Sequence, residues 1–354
     1  MRETARRAFV AAVVIGGVVV AALALWKLKL LISILFLAFI IAAAMRPGVE
    51  ALRRRGLPRG VGILVHYLGL VAVVGLLLYF VVPTASDQIR AAVPTSQAEL
   101  KRQAAEAEGI RQRVLVSIQD RLEELPSAEE IASRAFDPAL EITVRAFEVM
   151  VGIFFTLASA AYWIFERDRA IGLVTSLLPR PRRKIVRDTW DLIDLKLGAY
   201  VRGQLILIVM VATVLSVSFR IIGLPFWLLL GIFAGVVEII PVIGPLTAGA
   251  LAVGVGLTDS LGVAFAAGVA VLIVRLLEDY LVIPRVLGDA VGLTPLTVLV
   301  AVSSVTILFG GFAVLLAIPL AAVLATLVDV LVRHRDPAKE ETPTVLFPAK
   351  DAEG

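Results

Sequence analysis

The sequence predicts an all-α polytopic membrane protein, and two observations carry this prediction. The chain of 354 residues is 59% apolar with a mean hydropathy of +0.92, whereas soluble domains are about 45–50% apolar. Several runs of about 20 residues carry no charge, which is the length of helix that crosses the hydrocarbon core of a bilayer. The chain has no Cys and only two His residues, which excludes disulfides, thiol catalysis and a zinc or haem site built on imidazoles.

Residues 1–82 are predicted to supply the first three membrane spans. Their apolar runs are Phe9–Trp26, Leu30–Met45 and Val61–Val82. A positive flank before an apolar run also describes a cleavable signal peptide, but a second apolar run follows after only Lys27 and Lys29. A helical hairpin with a tight basic turn therefore explains the first two runs better. The basic segment 46–60 is expected to be a cytoplasmic loop between the second and third spans.

Residues 83–145 are predicted to form a long extracytoplasmic helical hairpin. Their Ala, Glu, Gln, Arg and Leu content favours helix, and apolar residues recur at helical spacing. Two roles stay open for this segment, a spacer or oligomer-contact stalk and a domain that recruits a partner or substrate. The chain is then expected to return through a fourth span, residues 146–165.

Residues 166–202 carry a basic start followed by an amphipathic pattern. Charged residues, Asp191 and Asp194 among them, fall largely away from its apolar side. This pattern predicts a helix that lies in the membrane interface on the cytoplasmic side. The tail, 334–354, is rich in Pro, Glu, Lys and Thr and is predicted to be disordered. The apolar side of the predicted interfacial helix consists of Ile185, Trp190, Ile193, Leu197 and Tyr200.

Residues 203–333 are apolar almost throughout and are predicted to be a transport core of about four membrane-embedded units, which gives about eight transmembrane helices in total. Proline removes a backbone donor and clashes with the preceding helical turn. Carbonyls freed in this way must face protein or water at membrane depth, so some core helices are expected to be broken or re-entrant. The predicted breaks lie at Pro241, Gly244, Pro245, Pro284, Pro295, Gly310 and Gly311.

The distribution of basic residues predicts the orientation in the membrane. With both termini inside, the inner segments 1–8, 46–60, 166–202 and 333–354 hold 21 of the 34 Lys and Arg residues. The outer segment 83–145 holds 8 basic and 11 acidic residues. Both termini are therefore expected to be cytoplasmic.

The sequence contains no catalytic signature: a phosphate-binding loop, a zinc-protease motif and a nucleophile elbow are all absent. The protein is therefore expected not to be an enzyme, and no metal or cofactor site is predicted. The basic segments are interpreted as topology and lipid-headgroup features rather than as a nucleic-acid site.

The informative residues are charges within apolar segments. Arg275, Glu278 and Asp279 are spaced to share one face of a helix, and Glu238 stands shortly before a proline break. A charge at the centre of a membrane helix costs about 2.5–3.5 kcal/mol, so these side chains are expected to face protein or water. Two interpretations stay open, an ion pair that tethers neighbouring helices and a path for an ion, a proton or a substrate.

The order and spacing of these motifs, from about residue 8 to 333, resemble the autoinducer-2 exporter family of PerM-type permeases. The resemblance implies a multi-pass permease of the bacterial cytoplasmic membrane that assembles as a homo-oligomer, with a pentamer among members. It also points to Gln204 as a further binding residue. Some members are associated with autoinducer-2 export and others with sodium–proton antiport. The matching blocks are Gly203-Gln204, Glu238 to Pro245, Leu277 to Pro284, Gly292 to Pro295, Gly310-Gly311 and Ile318-Pro319-Leu320.

The leading hypothesis is a secondary transporter that moves a small polar solute, such as an autoinducer-2-like signal, or an ion, driven by a proton or sodium gradient. Glu278 and Asp279 are expected to bind the coupling ion and Glu238 to line the path. Arg275 is expected to balance charge or contact an anionic group. The first four spans and the outer helices are expected to be the scaffold. The alternatives are a non-transporting scaffold that recruits partners through its outer helices, and an ungated pore.

Overall fold

A computed structural model describes residues 2–92, 113, 136–240, 243–283 and 293–340, and every regular element in this part is helical. The predicted all-α class is confirmed. A π-helical turn, Glu278–Val282, extends the eighth helix, and short 3-10 turns lie at Gly311–Ala313 and Pro337–Lys339. The helices are α1 (Arg2–Lys27), α2 (Lys29–Arg54), α3 (Arg59–Ala92), α4 (Phe136–Ser176), α5 (Arg180–Ile222), α6 (Trp227–Val237), α7 (Ile243–Asp259), α8 (Leu261–Leu277), α9 (Pro295–Phe309) and α10 (Val314–Leu331).

Among the described residues, six helices are long and apolar enough to cross a membrane, and four shorter apolar helices accompany them. The polytopic class is therefore confirmed. The shorter helices are Ala12–Lys27, Trp227–Val237, Ile243–Asp259 and Leu296–Phe309. The six long ones are Lys29–Arg54, Arg59–Gln88, Thr143–Ser176, Arg180–Ile222, Leu261–Val282 and Gly311–Leu331.

The junction between α1 and α2 differs from the predicted hairpin. The backbone N–H of Leu28 donates to the carbonyl of Ala24, and that of Ile32 donates to the carbonyl of Leu28, both at 2.9 Å. α1 and α2 are separated only by Leu28, a one-residue turn with a φ of −89° and a ψ of +4°. A turn of one residue with these bonds on both sides is too short to form a hairpin. The side of the membrane on which the N-terminus lies stays a prediction.

The predicted interfacial helix is instead the first half of α5, which continues without a break across residue 202. Its Trp190 stacks on Trp163 of α4 with ring centroids 5.8 Å apart. Phe39 of α2 meets both indole rings edge-on. Four of the five residues on the apolar side of this helix therefore pack on protein, whereas Ile185 is 47% exposed.

Buried apolar residues divide the bundle into groups that α5 connects. One core lies between α2, α3 and α4, and another between α5, α6, α7 and α8. A smaller core joins α2, α5 and α10 through Ile40, Leu197 and Leu316. α5 therefore links the helices predicted to be a scaffold to those predicted to form the transport core.

The first predicted break separates α6 from α7. Pro241 lies outside the described residues, and Gly244 and Pro245 belong to the first turn of α7. A side chain on Gly244 would overlap the carbonyl oxygen of Val237. Glycine at this position lets the start of α7 approach the end of α6 directly.

The second group of predicted breaks also falls at helix ends. Pro295 is the first residue of α9, whose amide at Thr297 is capped by the Thr294 hydroxyl at 3.3 Å. Gly310 ends α9 with a φ of +92°, a conformation that glycine adopts without steric cost. Gly311 begins the 3-10 turn before α10. The predicted break Pro284 lies outside the described residues.

Two predicted segments lie partly outside the described residues. Most of the outer hairpin falls in 93–112 and 114–135, which are not described, although α3 reaches Ala92 and α4 begins at Phe136. The prediction of a disordered tail is wrong for residues 334–340. These residues fold against α5, with Pro337 buried and Glu340 paired with Lys196 at 2.9 Å. Composition alone missed this because the partner is a buried lysine far away in the sequence. Residues 341–354 lie outside the described part.

Candidate functional site

The structure brings the five predicted site residues together where the ends of α6 and α8 meet α5. Glu238 directly follows α6, and Arg275 lies in the last turn of α8. Glu278 and Asp279 belong to the π-helical turn that extends α8. Gln204 lies in α5 and faces the end of α6. We call the four charged residues the acidic cluster.

Local sequence explains why α6 ends at this point. A proline follows three residues after Glu238 and lacks the N–H that would bond the carbonyl four residues earlier, which favours a helix end at this point. Glu238 is therefore presented at a helix terminus, with its side chain directed at α8. The π-helical turn is a distortion that is common at functional sites. Its two acids differ in exposure: Glu278 is buried, whereas the Asp279 side chain is 40% exposed.

One guanidinium group serves all three carboxyl groups of the acidic cluster. Arg275 Nη1 lies 3.0 Å from Glu238 Oε1 and 3.4 Å from Glu278 Oε2, and Nη2 lies 2.9 Å from Asp279 Oδ1. Glu238 and Glu278 thus contact the same nitrogen atom of Arg275. The predicted alignment of Arg275, Glu278 and Asp279 on one face therefore holds, with Glu238 supplied by a separate helix.

Burial makes this arrangement energetically demanding. Glu278 is 2% exposed and Glu238 is 7% exposed. Two carboxylates that share one guanidinium in a low-dielectric site repel each other, and an unpaired buried charge costs several kcal/mol. Binding of a proton or a cation to the acidic cluster is therefore favourable, whereas binding of an anion is unfavourable.

The acidic cluster lies between the middle and the end of its membrane helix. The long apolar helix Leu261–Val282 has 22 residues. At 1.5 Å per residue, Glu278 lies about 10 Å from the middle of this helix and about 6 Å from its end. The partly exposed Asp279 and the buried Glu278 together connect the protein interior to its surface at this depth.

Gln204, predicted to be a binding residue, lies against the backbone of the acidic cluster. Its amide nitrogen donates to the backbone carbonyl of Glu238 at 3.3 Å, and that carbonyl lies at a helix end where intrahelical partners are missing. Gln204 therefore positions the backbone at the break rather than contacting the carboxyl groups. Within the described residues, no group of three carboxylates or imidazoles is placed to hold a metal ion, and the Arg275 guanidinium stands between the acids.

Sequence analysis missed a second buried charge cluster, which joins α2, α4 and α5. Asp194 is 4% exposed and accepts hydrogen bonds from Arg167 Nε at 2.5 Å and Arg46 Nη1 at 3.0 Å. Arg167 also binds Asp191. Both aspartates were expected away from the packed side of their helix. The arginine partners come from helices that are far from α5 in the sequence, so no local spacing predicts these contacts.

The helical fold, its apolar spans and a buried acidic cluster at a helix break define a polytopic membrane protein with an internal polar site. Comparison with known proteins identifies the family. Residues 13–333 match the model of the AI-2E family of transporters, and the chain belongs to this family. The predicted family resemblance is therefore confirmed.

Curated relatives cover most of the chain. YrrI of Bacillus subtilis (strain 168), which bears the name of a transport protein, is 25% identical over 317 residues, or 85% of this chain and 86% of its own. The transport protein MT0215 of Mycobacterium tuberculosis (strain CDC 1551 / Oshkosh) is 28% identical over 342 residues, or 94% of this chain and 91% of its own. The permease PerM of Escherichia coli (strain K12) is 25% identical over 210 residues, or 57% and 59%. A role in membrane transport follows from this membership.

Proposed function

We propose that the protein is a secondary transporter in which the acidic cluster binds the coupling cation. The observation that carries this proposal is the sharing of one guanidinium by three carboxyl groups, two of them buried. The second charge cluster is balanced, since three aspartates there meet Arg46, Arg59 and Arg167, whereas the acidic cluster has three acids for one base. The surplus of acids gives the site a net negative charge that a proton or a metal cation neutralises on binding.

The contacts of Arg275 argue against an anionic ligand at this position. Both terminal nitrogens of its guanidinium already contact carboxylates. An anion would have to displace at least one acid and would add charge of the sign already in excess. We therefore assign Arg275 to charge balance and not to anion binding.

Between the two coupling ions expected from the sequence, the geometry favours the proton. Glu238 and Glu278 both contact Arg275 Nη1, at 3.0 and 3.4 Å, so a proton on either acid relieves their competition for one positive charge. A sodium ion would need several oxygen ligands around one point, and Arg275 stands at the point where the three acids converge. Glu238 and Glu278 are then the proton-binding pair, and Asp279 is the group that exchanges with the surface.

The cargo that fits the family is a small polar solute, and an autoinducer-2-like signal is our proposal for it. We place the protein in the bacterial cytoplasmic membrane, with both termini cytoplasmic and with the basic segments 46–60 and 166–202 on the same side. We also expect a homo-oligomer and no catalytic activity. Residues 225–257, 263–283 and 295–332 are proposed as the moving part, and the first four spans with the outer helices as the scaffold.

Flux through purified protein in proteoliposomes tests this proposal. An imposed proton gradient should drive accumulation of the solute, and a collapsed gradient should abolish it. Glu278→Gln and Glu238→Gln should each remove gradient-driven flux, since neither amide binds a proton. Glu148→Gln makes the same chemical change in α4, away from the acidic cluster, and should leave flux unchanged.

The same assay separates the competing interpretations. Normal flux in folded Glu278→Gln and Glu238→Gln proteins would make the acidic cluster a structural tether. Flux that ignores every gradient and does not saturate would indicate a pore. A sodium-driven flux that is insensitive to pH would replace the proton with sodium.

A further inference from the structure

A buried lysine lies away from the acidic cluster, at the end of the bundle where α10 terminates. Lys196 of α5 is 7% exposed. Its ammonium group donates to the Glu340 carboxylate at 2.9 Å and to the Thr326 hydroxyl at 3.4 Å. Thr326 belongs to α10 and is 1% exposed, and Glu340 belongs to the segment that follows α10. This contact joins two membrane helices to the tail of the chain.

The backbone after α10 is shaped to bring Glu340 to this place. His334 has a φ of +54°, a left-handed conformation that is uncommon for residues with a side chain. The amide of Arg335 donates to the carbonyl of Asp329 at 3.0 Å, which closes the end of α10. Asp329 also pairs with Arg333 at 2.9 Å. The chain thus reverses direction and returns along α5.

The returning segment is itself ordered by local contacts. The Asp336 side chain accepts a hydrogen bond from the amide of Ala338 at 3.1 Å, and Pro337 is buried. These contacts fix a 3-10 turn directly before Glu340. The carboxylate therefore reaches Lys196 from a preformed turn and not from an extended strand of chain.

The buried ammonium group of Lys196 needs a negatively charged partner, and the Glu340 carboxylate supplies that charge. A buried ammonium group is costly without a negative partner, and a hydroxyl group supplies a dipole but no charge. Within the described residues, Lys196 forms its ion pair with Glu340. We propose that Lys196 and Thr326 form a carboxylate-binding site that the chain's own tail occupies through Glu340, so that residues 333–340 act as a latch on α5.

The latch goes beyond the proposed transport function and does not depend on it. α5 also carries Gln204, eight residues and about two helical turns beyond Lys196. Gln204 holds the backbone of Glu238. Docking of the tail therefore restrains the same helix that positions the acidic cluster, and release of the tail removes this restraint about two turns from Gln204.

The reactivity of Lys196 in the full-length protein tests the latch directly. A short pulse of an amine-acylating reagent, followed by peptide mass spectrometry, gives the modification rate of each lysine. Lys339 is exposed and provides the internal reference. In the native protein Lys196 should react at least about tenfold more slowly than Lys339. Glu340→Gln should raise the Lys196 rate by about tenfold, because the amide cannot hold the ammonium group.

A backbone variant keeps the test decisive if changes at Glu340 impair folding. His334→Val leaves both charges in place but disfavours the left-handed turn, so it should also raise the Lys196 rate, whereas His334→Gly should not. Glu50→Gln removes a carboxylate from an exposed pair with Arg53 and should have no effect. Rapid acylation of Lys196 in the native protein, or unchanged protection in both Glu340→Gln and His334→Val, would overturn the proposal.

Discussion

Replacing Arg275 by Met removes the only guanidinium of the acidic cluster while keeping a long apolar side chain. The change leaves Glu238, Glu278 and Asp279 without the base that all three contact. The protein should become less stable, and the structure sets how much each of the three contacts contributes to the loss.

The buried contacts dominate the expected loss. Glu278 and Glu238 are 2% and 7% exposed, and removing one partner of a buried pair costs about 3–5 kcal/mol. The Asp279 side chain is 40% exposed, so its contact with Arg275 adds only about 0–1 kcal/mol. Arg275→Met should therefore lower the free energy of unfolding by about 3–5 kcal/mol at neutral pH.

Unfolding in mixed micelles with increasing sodium dodecyl sulfate measures this loss. Arg169→Met is the matched control, because Arg169 and Glu166 form an exposed pair at 3.7 Å with side chains 78% and 58% exposed. Arg169→Met should lower the free energy of unfolding by less than about 1 kcal/mol. Glu238→Gln should be less damaging in the Arg275→Met background than in the native protein, with a coupling energy of about 0.5–3 kcal/mol.

The pH dependence has a definite sign. Without Arg275 the buried carboxylates lack a counter-charge at high pH, whereas bound protons neutralise them at low pH. The loss of unfolding free energy in Arg275→Met should therefore be smaller at acidic than at alkaline pH. Equal losses in Arg275→Met and Arg169→Met, or additive effects of Arg275→Met and Glu238→Gln, would refute the reasoning.

Two further predictions concern helix packing and the second charge cluster. Gly244→Ala should destabilise the protein by about 1–3 kcal/mol, since a side chain there meets the Val237 carbonyl. Gly254→Ala in the same helix, with nothing within 4 Å of the added carbon, should be neutral or stabilise by up to about 1 kcal/mol; an equal loss in both variants would contradict this. Asp194→Ala should cost about 3–5 kcal/mol because it leaves the buried Arg167 short of a partner. Asp168→Ala removes a 61% exposed acid from the same arginine and should cost less than about 1 kcal/mol. Micelle unfolding measures all four, and similar losses for the two aspartates would show that burial does not set the cost.

Local sequence information was sufficient for three of the four residues of the acidic cluster. The spacing of Arg275, Glu278 and Asp279 fixes their common face once the segment is helical. The cost of charge in a bilayer then requires that face to point inwards. The contribution of Glu238 depends on how α6 ends against α8. The proline break predicted that α6 ends near Glu238, but it did not predict which residue Glu238 contacts.

The second cluster and the latch depend on contacts that no short pattern encodes. Arg46 and Asp194 are separated by 148 residues, and Lys196 and Glu340 by 144. An amphipathic pattern ranks the faces of a helix by hydrophobicity, so it assigns an aspartate to the solvent side. A buried aspartate with two arginine partners reverses that rule. Similarly, the composition of a tail says nothing about a buried lysine elsewhere that binds it.

The three contacts of Arg275 differ in what they connect, and this difference gives proton binding a mechanical consequence. The contacts with Glu278 and Asp279 stay within α8 and its π-helical extension, whereas the contact with Glu238 joins α8 to the end of α6. A proton on Glu238 weakens the one ion pair that crosses between helices and leaves the other two in place. α6 would then be held at this point by Gln204 of α5 and by the close approach of Gly244. Movement of α6 relative to α8 is therefore the step that we expect protonation to control, and Glu238, rather than Asp279, is the acid on which that control depends.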